Sequence, residues 1–449
     1  MQLTCTVNPY IPVTHQRHLV YVLVEVDPGE VPTAGASINL GLVVDASRSM
    51  SIPILTDQQF QKLRSMGMAR QKTVDGVKVW QFDVPKGFHI DAPSNMDFTK
   101  EALRAAADLL RPEDRFSLVA FAEDALLMIG STPATRKSEL VEAVDRLDRI
   151  DLGDETYMAR GMAMGHKQIE TGMGADAASR MIVLTDGYTR DEREARAWAQ
   201  QAKQAGIVVS TMGLGLDFNE ELLISLADAS GGESYFIEDP QEIPAAFRQE
   251  LTRAQSVTWR DLSLSLEMPA DVTLRRAHRV RPAIALAEIE DGTIGLGNLE
   301  AGRPPAALLE LVVPPRPEGA YRLAQIALQG RYPGTRAAAA QAAQALARQD
   351  VVAHYTERPS LAEQTDPHLM SVVQAVSAFK LQSQAIEEAS RGDVARATRR
   401  LRTAGERLKE MGQEDLGETM LVEADLLEKE GQMSSEGTKK LRYGTRKLR

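Results

Sequence analysis

The chain has 449 residues, 43% of them hydrophobic and 26% charged, with 32 Gly and 21 Pro. This composition excludes a disordered or collagen-like chain and, at roughly 100 to 200 residues per domain, predicts two to four domains with separate cores. Its 52 Lys and Arg against 63 Asp and Glu give a formal charge of -11, a field that disfavours polyphosphates and so excludes nucleic acid as the expected main partner.

The first residues, Met-Gln-Leu-Thr-Cys, have neither a basic nor an apolar signal region, and no run of about 18 apolar residues occurs further on. No signal peptide and no membrane span are expected. Cys5 is the single cysteine and permits no internal disulfide, which fits a reducing, cytoplasmic setting. Residues 18–26 read as a strand. From Ile38, short β-rich runs (38–44, 115–121, 180–184, 207–214, 233–237) alternate with helical patterns (97–110, 138–147, 158–169, 192–205, 220–229). This alternation predicts an α/β, doubly wound, mostly parallel sheet. Its runs at 40–44 and 181–185 are apolar on both faces, as central strands covered by helices on each side should be. Ligands of such a sheet bind at the carboxyl ends of its strands.

Beyond Val257 the runs 257–266, 272–277, 284–296, 307–313, 322–328 and 351–355 are short and separated by Pro and Gly, which predicts an antiparallel β-sandwich. The 18–26 strand is expected to join it. Residues 336–347, rich in Ala and Gln, read as a short helix or a loop. After Pro359 the period becomes helical, with expected helices at 368–390, 394–411 and 415–430 forming a hairpin or bundle. The expected organisation is therefore 1–36 as N-terminal strand, 37–255 as the doubly wound domain, 256–358 as the sandwich and 359–449 as an α-helical C-terminal region.

The first central strand ends in Asp45-Ala-Ser47-Arg-Ser49, which sets a carboxylate and two hydroxyls at alternate positions where the sheet binds ligands. These are hard oxygen donors of the kind that suit Mg²⁺ or Mn²⁺. Alone, Asp-x-Ser-x-Ser is equally a helix cap. Two further loops add to it: Thr185-Asp186-Gly187 closes a second buried strand, and Asp154-Glu155-Thr156 opens a helix. On these residues, residues 38–251 resemble a von Willebrand factor type A domain with a metal-ion-dependent adhesion site, of the bacterial cytosolic type. The sandwich-flanked layout is also similar to that of inter-α-trypsin inhibitor heavy chains.

That resemblance implies a metal site of Asp45, Ser47, Ser49, Thr156 and Asp186. The serines would bind Mg²⁺ directly, with Mn²⁺ or Ca²⁺ as alternatives, and the two aspartates would act largely through water. With few anionic donors bound directly, the ion keeps positive charge and can accept a partner's carboxylate. The implied role is a metal-dependent protein-interaction scaffold or adaptor rather than an enzyme. Implied partners are AAA+ ATPases of the MoxR type or Ser/Thr kinase and phosphatase systems. The alternatives are an extracellular adhesion protein and a metal-dependent hydrolase, for which Glu155 is the one nearby base.

The chain departs from this family in two places. Asp154-Glu155 stands where Gly-Gly is usual, adding negative charge at the rim, and residues 51–95 intervene before the next helix. Within that insert, 56–68 reads as a helix and 77–84 as a strand, and the whole is either a lid over the ion or a surface loop. No Gly-x-x-x-x-Gly-Lys-Ser/Thr phosphate loop, Gly-x-Ser-x-Gly elbow or His-Glu-x-x-His motif occurs. His166 reads as a partly buried helix residue. The 439–449 tail, with six basic side chains and no acid, reads as a solvated terminus, or else as a docking arm for an acidic protein, RNA or anionic lipid.

Overall fold

The computed structural model describes residues 1–29, 36–74, 77–82, 85, 90–174, 177–290, 292–331 and 344–448. Its central sheet runs in the order Ser234–Ile237, Ile207–Leu214, Ala178–Thr185, Ile38–Asp45, Arg115–Phe121, Ala125–Pro133. All neighbours are parallel except the last pair, which is antiparallel. Every residue of Ile38–Asp45 and Ala178–Thr185 is buried, because helices cover both faces. On one face lie Asn95–Leu109, Lys137–Asp145 and Ile243–Gln255, and on the other Met158–Thr171, Glu192–Gln204 and Glu220–Ser230. The edge strand Ala125–Pro133 did not emerge from the sequence. Leu126 and Leu127 on it are exposed, so the run lacks the apolar density that marks the central strands.

The helix Met158–Thr171 crosses the sheet at unusually close range. A Cβ on Gly165 would stand 2.6 Å from Val43 Cγ2, one on Gly161 2.8 Å from Phe121 Cδ1, and one on Gly41 2.6 Å from Ile169 Cδ1. Glycine at these three places is a packing requirement, since an added methyl in a filled core forces backbone shifts. The helix carries Thr156 in the loop at its N-terminal end, so this packing sets that loop's height above the sheet.

Two more sheets form the sandwich. One runs Gln2–Val7, His18–Asp27, Ala306–Val313, Thr273–Arg281, Ala285–Leu286, and the other Ile289–Glu290, Thr293–Glu300, Val257–Glu267, Gly319–Arg331, Gln344–Thr356, Tyr10–Pro12. Strand His18–Asp27 pairs with Ala306–Val313 in the first of these, with Leu308 opposite Leu23. Within the expected 284–296 run the described residues form the separate strands Ala285–Leu286 and Ile289–Glu290 and the start of Thr293–Glu300. Of the 336–347 segment, residues 336–343 lie outside the described residues, and 344–347 are strand rather than helix or loop.

Strand His18–Asp27 is apolar on both faces for a reason its sequence alone does not reveal. Val22 and Val24 face the sandwich core with Leu264, Ile326 and Val351. Leu23, between them, faces the C-terminal helices with Leu308, Leu369, Leu401 and Leu441. These helices are Pro367–Ser390, Val394–Glu410, Glu414–Glu430 and Ser435–Thr445. Asp366, Asp393 and Ser434 cap three of them.

The fourth helix overturns the reading of the basic tail as a solvated terminus. Lys439 and Arg446 are buried, as are Tyr443 and Leu448. Arg446 donates to Asp228 at 2.8 and 2.7 Å, Tyr443 OH lies 2.9 Å from Ser234 Oγ, and Arg442 pairs with Glu220 at 3.3 Å. The acidic surface that neutralises these cations is the chain's own, at the Glu220–Ser230 helix. Arg449 lies outside the described residues. No described helix is long and apolar enough to cross a membrane.

Candidate metal centre

The parallel register places the site. Val44 lies opposite Leu184, so Asp45 and Thr185 end neighbouring strands side by side. Thr185 donates its hydroxyl to Asp45 Oδ2 at 2.6 Å, and the Ser47 backbone N–H donates to Asp45 Oδ1 at 2.8 Å. Both oxygens of a fully buried carboxylate are thus held. The chain then turns through a short helix, Arg48–Ser51, which brings Ser47 Oγ within 3.0 Å of Ser49 Oγ. Ser49 Oγ in turn donates to Asp186 Oδ1 at 2.6 Å. Ser47, Ser49 and Asp186 therefore form one continuous hydroxyl–carboxylate chain.

Thr156 stands across from it, buried, with its Oγ1 3.4 Å from where a Cβ on Gly187 would sit. Its loop is pinned to the loop after Asp186. Thr189 Oγ1 lies 3.1 Å from the Thr156 carbonyl, the Arg190 N–H donates to that carbonyl at 2.9 Å, and the Met158 N–H donates to Thr189 Oγ1 at 2.9 Å. Asp191 accepts from Thr189 at 2.6 Å and from the Ala159 N–H at 3.0 Å, an acidic side chain at a helix N-terminus. The structure thus brings all five expected residues to the carboxyl ends of the two central strands.

Sequence spacing missed four contributing residues. Thr185 orients Asp45, and the Thr189–Asp191 pair holds the threonine loop. Asn95 Nδ2 donates to Asp186 Oδ2 at 3.0 Å. Asn95 is the last residue of the 51–95 insert and the first of the helix that follows, so nothing in linear order ties it to Ser49. The insert's two ends meet: Pro53 bridges Ser94, and the Ile54 N–H donates to the Pro93 carbonyl at 2.7 Å. Ser94 caps the helix that follows, with Asp97 completing a capping box. Inside the insert, helix Asp57–Ser65 starts at a Thr56–Gln59 capping box, and Ala69–Val74 pairs with Val77–Phe82 as a hairpin. Residues 83–84 of the expected strand lie outside the described residues.

The electrostatics are those of a site with surplus negative charge. Among the described residues neither Asp45 nor Asp186 has an ion-pair partner. Burial raises the Asp45 carboxyl to about 6, and the neighbouring Asp186 charge adds to the rise. Burial also raises Asp186, with a further push from the Asp217 carboxylate. The cations at the rim are turned elsewhere. Arg48 is 81% exposed and lies 4.0 Å from Asp154, and Arg190 pairs with Glu155 at 3.2 Å. The added rim charges are therefore largely matched by these two arginines. Glu155, the base a hydrolase would need, is engaged by Arg190 and by Tyr157 OH at 3.3 Å.

The donor set fits a small hard cation. It offers three hydroxyls and two carboxylates, and no described group of three or more His, Cys, Asp or Glu side chains forms a competing metal cage. His166 is buried in its helix, 5.3 Å from the Trp198 ring and 3.5 Å from Glu170, remote from these loops in role.

Comparison with known proteins agrees with this architecture. Residues 91–249 match the von Willebrand factor type A domain, and residues 367–449 match the Sll0103-like, C-terminal alpha-helical domain. The uncharacterized protein YfbK of Escherichia coli is 22% identical over 221 residues, 48% of this chain and 38% of that one. The uncharacterized protein sll0103 of Synechocystis is 27% identical over 175 residues, 38% of this chain and 41% of that one. The chain thus spans well under half the length of these curated relatives. A solved von Willebrand factor type A protein from Catenulispora acidiphila superposes with a TM-score of 0.74 at 18% identity, over 100% of this chain and 97% of that one, which shows a shared fold. Residues 91–249 thus belong to a von Willebrand factor type A domain, which the β-sandwich strands from Val257 and the C-terminal helical domain follow in the chain.

Proposed function

We propose that this chain is a metal-dependent protein-interaction module, a scaffold or adaptor whose Asp45, Ser47, Ser49, Thr156 and Asp186 hold Mg²⁺ and whose partner supplies an acidic group to it. One observation carries the reading: two buried carboxylates from different loops, Asp45 held by the Thr185 hydroxyl and Asp186 by the Ser49 hydroxyl, have no cationic side chain paired with them among the described residues. Uncompensated buried charge is costly, and a divalent cation removes that cost. When bound, the ion supplies a positive centre with room for a further anionic oxygen.

The chain's own residues do the rest. Thr185 and the Ser47 N–H orient Asp45, Asn95 and Ser49 orient Asp186, and Thr189 with Asp191 hold the threonine loop. Arg48 and Arg190 offset Asp154 and Glu155 at the rim, lowering the repulsion an acidic partner would meet. The 51–95 insert, rooted at Ser94 beside Asn95, is in position to act as a partner-recognition element. A cytoplasmic setting and ATPase or kinase-system partners belong to the same proposal. The domain division at residues 37, 256 and 359 does too.

The test is a pull-down from the native cell in Mg²⁺ and again in EDTA, with wild type and Asp45→Ala. Proteins captured in Mg²⁺ should be lost in EDTA and lost with Asp45→Ala, while circular dichroism stays unchanged. Capture of the same proteins under all three conditions would refute it.

A further inference from the structure

We infer that the cleft where the α/β domain, the sandwich and the last helix meet is a binding site for a short peptide with free termini, whose carboxylate is taken by Arg196 and whose ammonium is taken by Asp261. This site is separate from the metal centre and does not depend on it.

The cleft has a volume of about 920 Å³, and its size and position between domains are those usual for a small-molecule site. Helices Glu192–Gln204 and Glu220–Ser230 form one wall, strands Val257–Glu267, Thr273–Arg281 and Thr293–Glu300 form another, and Arg442 of the last helix adds to the lining. The two walls are fastened to each other. Arg279 donates to Asp228 at 2.8 Å across the boundary, and its side chain is 12% exposed. Gly231 and Gly297 bring the two backbones together, since a Cβ on Gly231 would already touch the Gly297 Cα at 3.5 Å.

Five basic and five acidic side chains line the cleft, which suits a ligand of no net charge that carries both signs. Most of them engage one another. Asp228 is held by Arg279 and Arg446, Lys203 donates to Glu288 at 3.1 Å and Glu290 at 2.8 Å, and Arg442 donates to Glu221 at 3.3 Å. Two groups of opposite sign are left, one on each wall. Arg196 is half-buried and donates to Ser225 Oγ, with no carboxylate partner among the described residues. Asp261 has Arg331 at 3.8 Å, beyond hydrogen-bond distance, and both side chains are exposed.

The backbone at Asp261 is also unusual. Its φ of 52° makes it the one non-glycine residue at positive φ among the described residues. It sits on a bulge, because the register slips there against both neighbouring strands, and its N–H donates to Asn298 Oδ1 at 3.2 Å. Such a conformation is costly for a residue with a Cβ and persists where its surroundings enforce it, commonly beside ligand sites. Here the bulge sets a carboxylate on the cleft wall. Ile224 and Leu286 line the same space, and Leu286 is 64% exposed, so apolar side chains of a ligand have surface to cover. A space of this volume is about 12 Å across and an extended chain covers about 3.3–3.6 Å per residue, so roughly two to four residues fit. A guanidinium is suited to pair with a terminal carboxylate, and a carboxylate with a terminal ammonium.

The test measures binding of trialanine, trivaline and triserine to the full chain by calorimetry, with thermal unfolding alongside. At least one should bind at millimolar concentration, equally well in Mg²⁺ and in EDTA. Amidating its carboxylate or acetylating its amine should each weaken binding about tenfold or more, the loss expected of one charge-assisted hydrogen bond. Arg196→Gln should weaken the free peptide to the same degree and make amidation without effect. Asp261→Asn should do the same for acetylation. Asp261→Gly, which suits the positive φ, should melt no lower than wild type and still lose the acetylation effect, so a folding defect cannot stand in for a lost contact. No binding by any of the three peptides overturns the inference, as does equal binding of blocked and free forms. Free alanine binding as well as trialanine overturns the peptide assignment. Binding that vanishes in EDTA or in Asp45→Ala belongs to the metal centre and overturns the cleft as the site, whereas failure of metal binding leaves the inference intact.

Discussion

Ser49 donates its hydroxyl hydrogen to Asp186 across 2.6 Å although 137 residues separate them. The bond joins the loop after the first central strand to the loop after its neighbour, and Ser49→Ala would leave a buried carboxylate with Asn95 as its remaining side-chain partner. Without divalent ions this variant should lose about 1–3 kcal/mol of stability, the usual cost of an unsatisfied buried acceptor. With saturating Mg²⁺, wild type should melt higher and Ser49→Ala should gain much less, as thermal scans with and without EDTA will show.

The Asp45 carboxyl is raised to about 6 in the fold, against about 3.9 in an unfolded chain. Between these values the folded state binds more protons, so this group's contribution falls as pH rises, by up to about 3 kcal/mol at neutrality. Asp45→Asn should abolish that decline in the metal-free protein. Mg²⁺ affinity of wild type should drop below about pH 6, where the proton competes with the ion. A pH-independent affinity would contradict the assignment.

His278 works in the opposite direction. It is buried between the sandwich and the C-terminal helices, where desolvation lowers it to about 4, Glu310 opposes the shift, and Lys380 and Arg276 add to it. The unfolded chain binds the proton first, so stability is complete above about pH 6.5 and declines as pH falls toward 4, by up to about 3 kcal/mol. His278→Gln should flatten this limb in urea titrations at a series of pH values. In wild type the two groups partly cancel between pH 4 and 6.

Gly165→Ala inserts a methyl 2.6 Å from Val43 Cγ2. The helix Met158–Thr171 must lift, costing about 1–3 kcal/mol and raising Thr156 with it. Metal affinity should therefore fall although residue 165 is far from the ion in sequence. Normal affinity in a destabilised variant would show that the threonine loop is set by Thr189 and Asp191 alone.

The C-terminal helix predicts unequal roles for two neighbouring cations. Arg446 is buried with both terminal nitrogens on Asp228, whereas Lys447 is exposed. Arg446→Met should cost about 1–3 kcal/mol, tempered because Arg279 also reaches Asp228 at 2.8 Å. Lys447→Ala should stay within about 0.5 kcal/mol. Equal costs in denaturant unfolding would restore the picture of a solvated arm.

The α/β domain and the outline of its site could be read from linear order because their signals are local. Buried parallel strands are continuous apolar runs such as 40–44 and 181–185, and each ends where the sheet offers its loops. Asp45, Ser47 and Ser49 sit on one loop, and Asp186 follows a run of the same kind. What only the tertiary structure decided concerns groups whose partners are remote. Asn95 reaches Asp186 because the 51–95 insert returns to its starting point at Pro53 and Ser94. The 439–449 segment has the composition of a solvated tail, yet it folds, because Asp228, Glu220 and Glu221 on another domain neutralise it and Ser234 receives Tyr443. Periodicity reports how a segment meets solvent or its own core. It carries no information about which distant surface will cover it, and charge pairing across domains, here between a basic helix and an acidic one, is settled only when the chain has brought both to the same place.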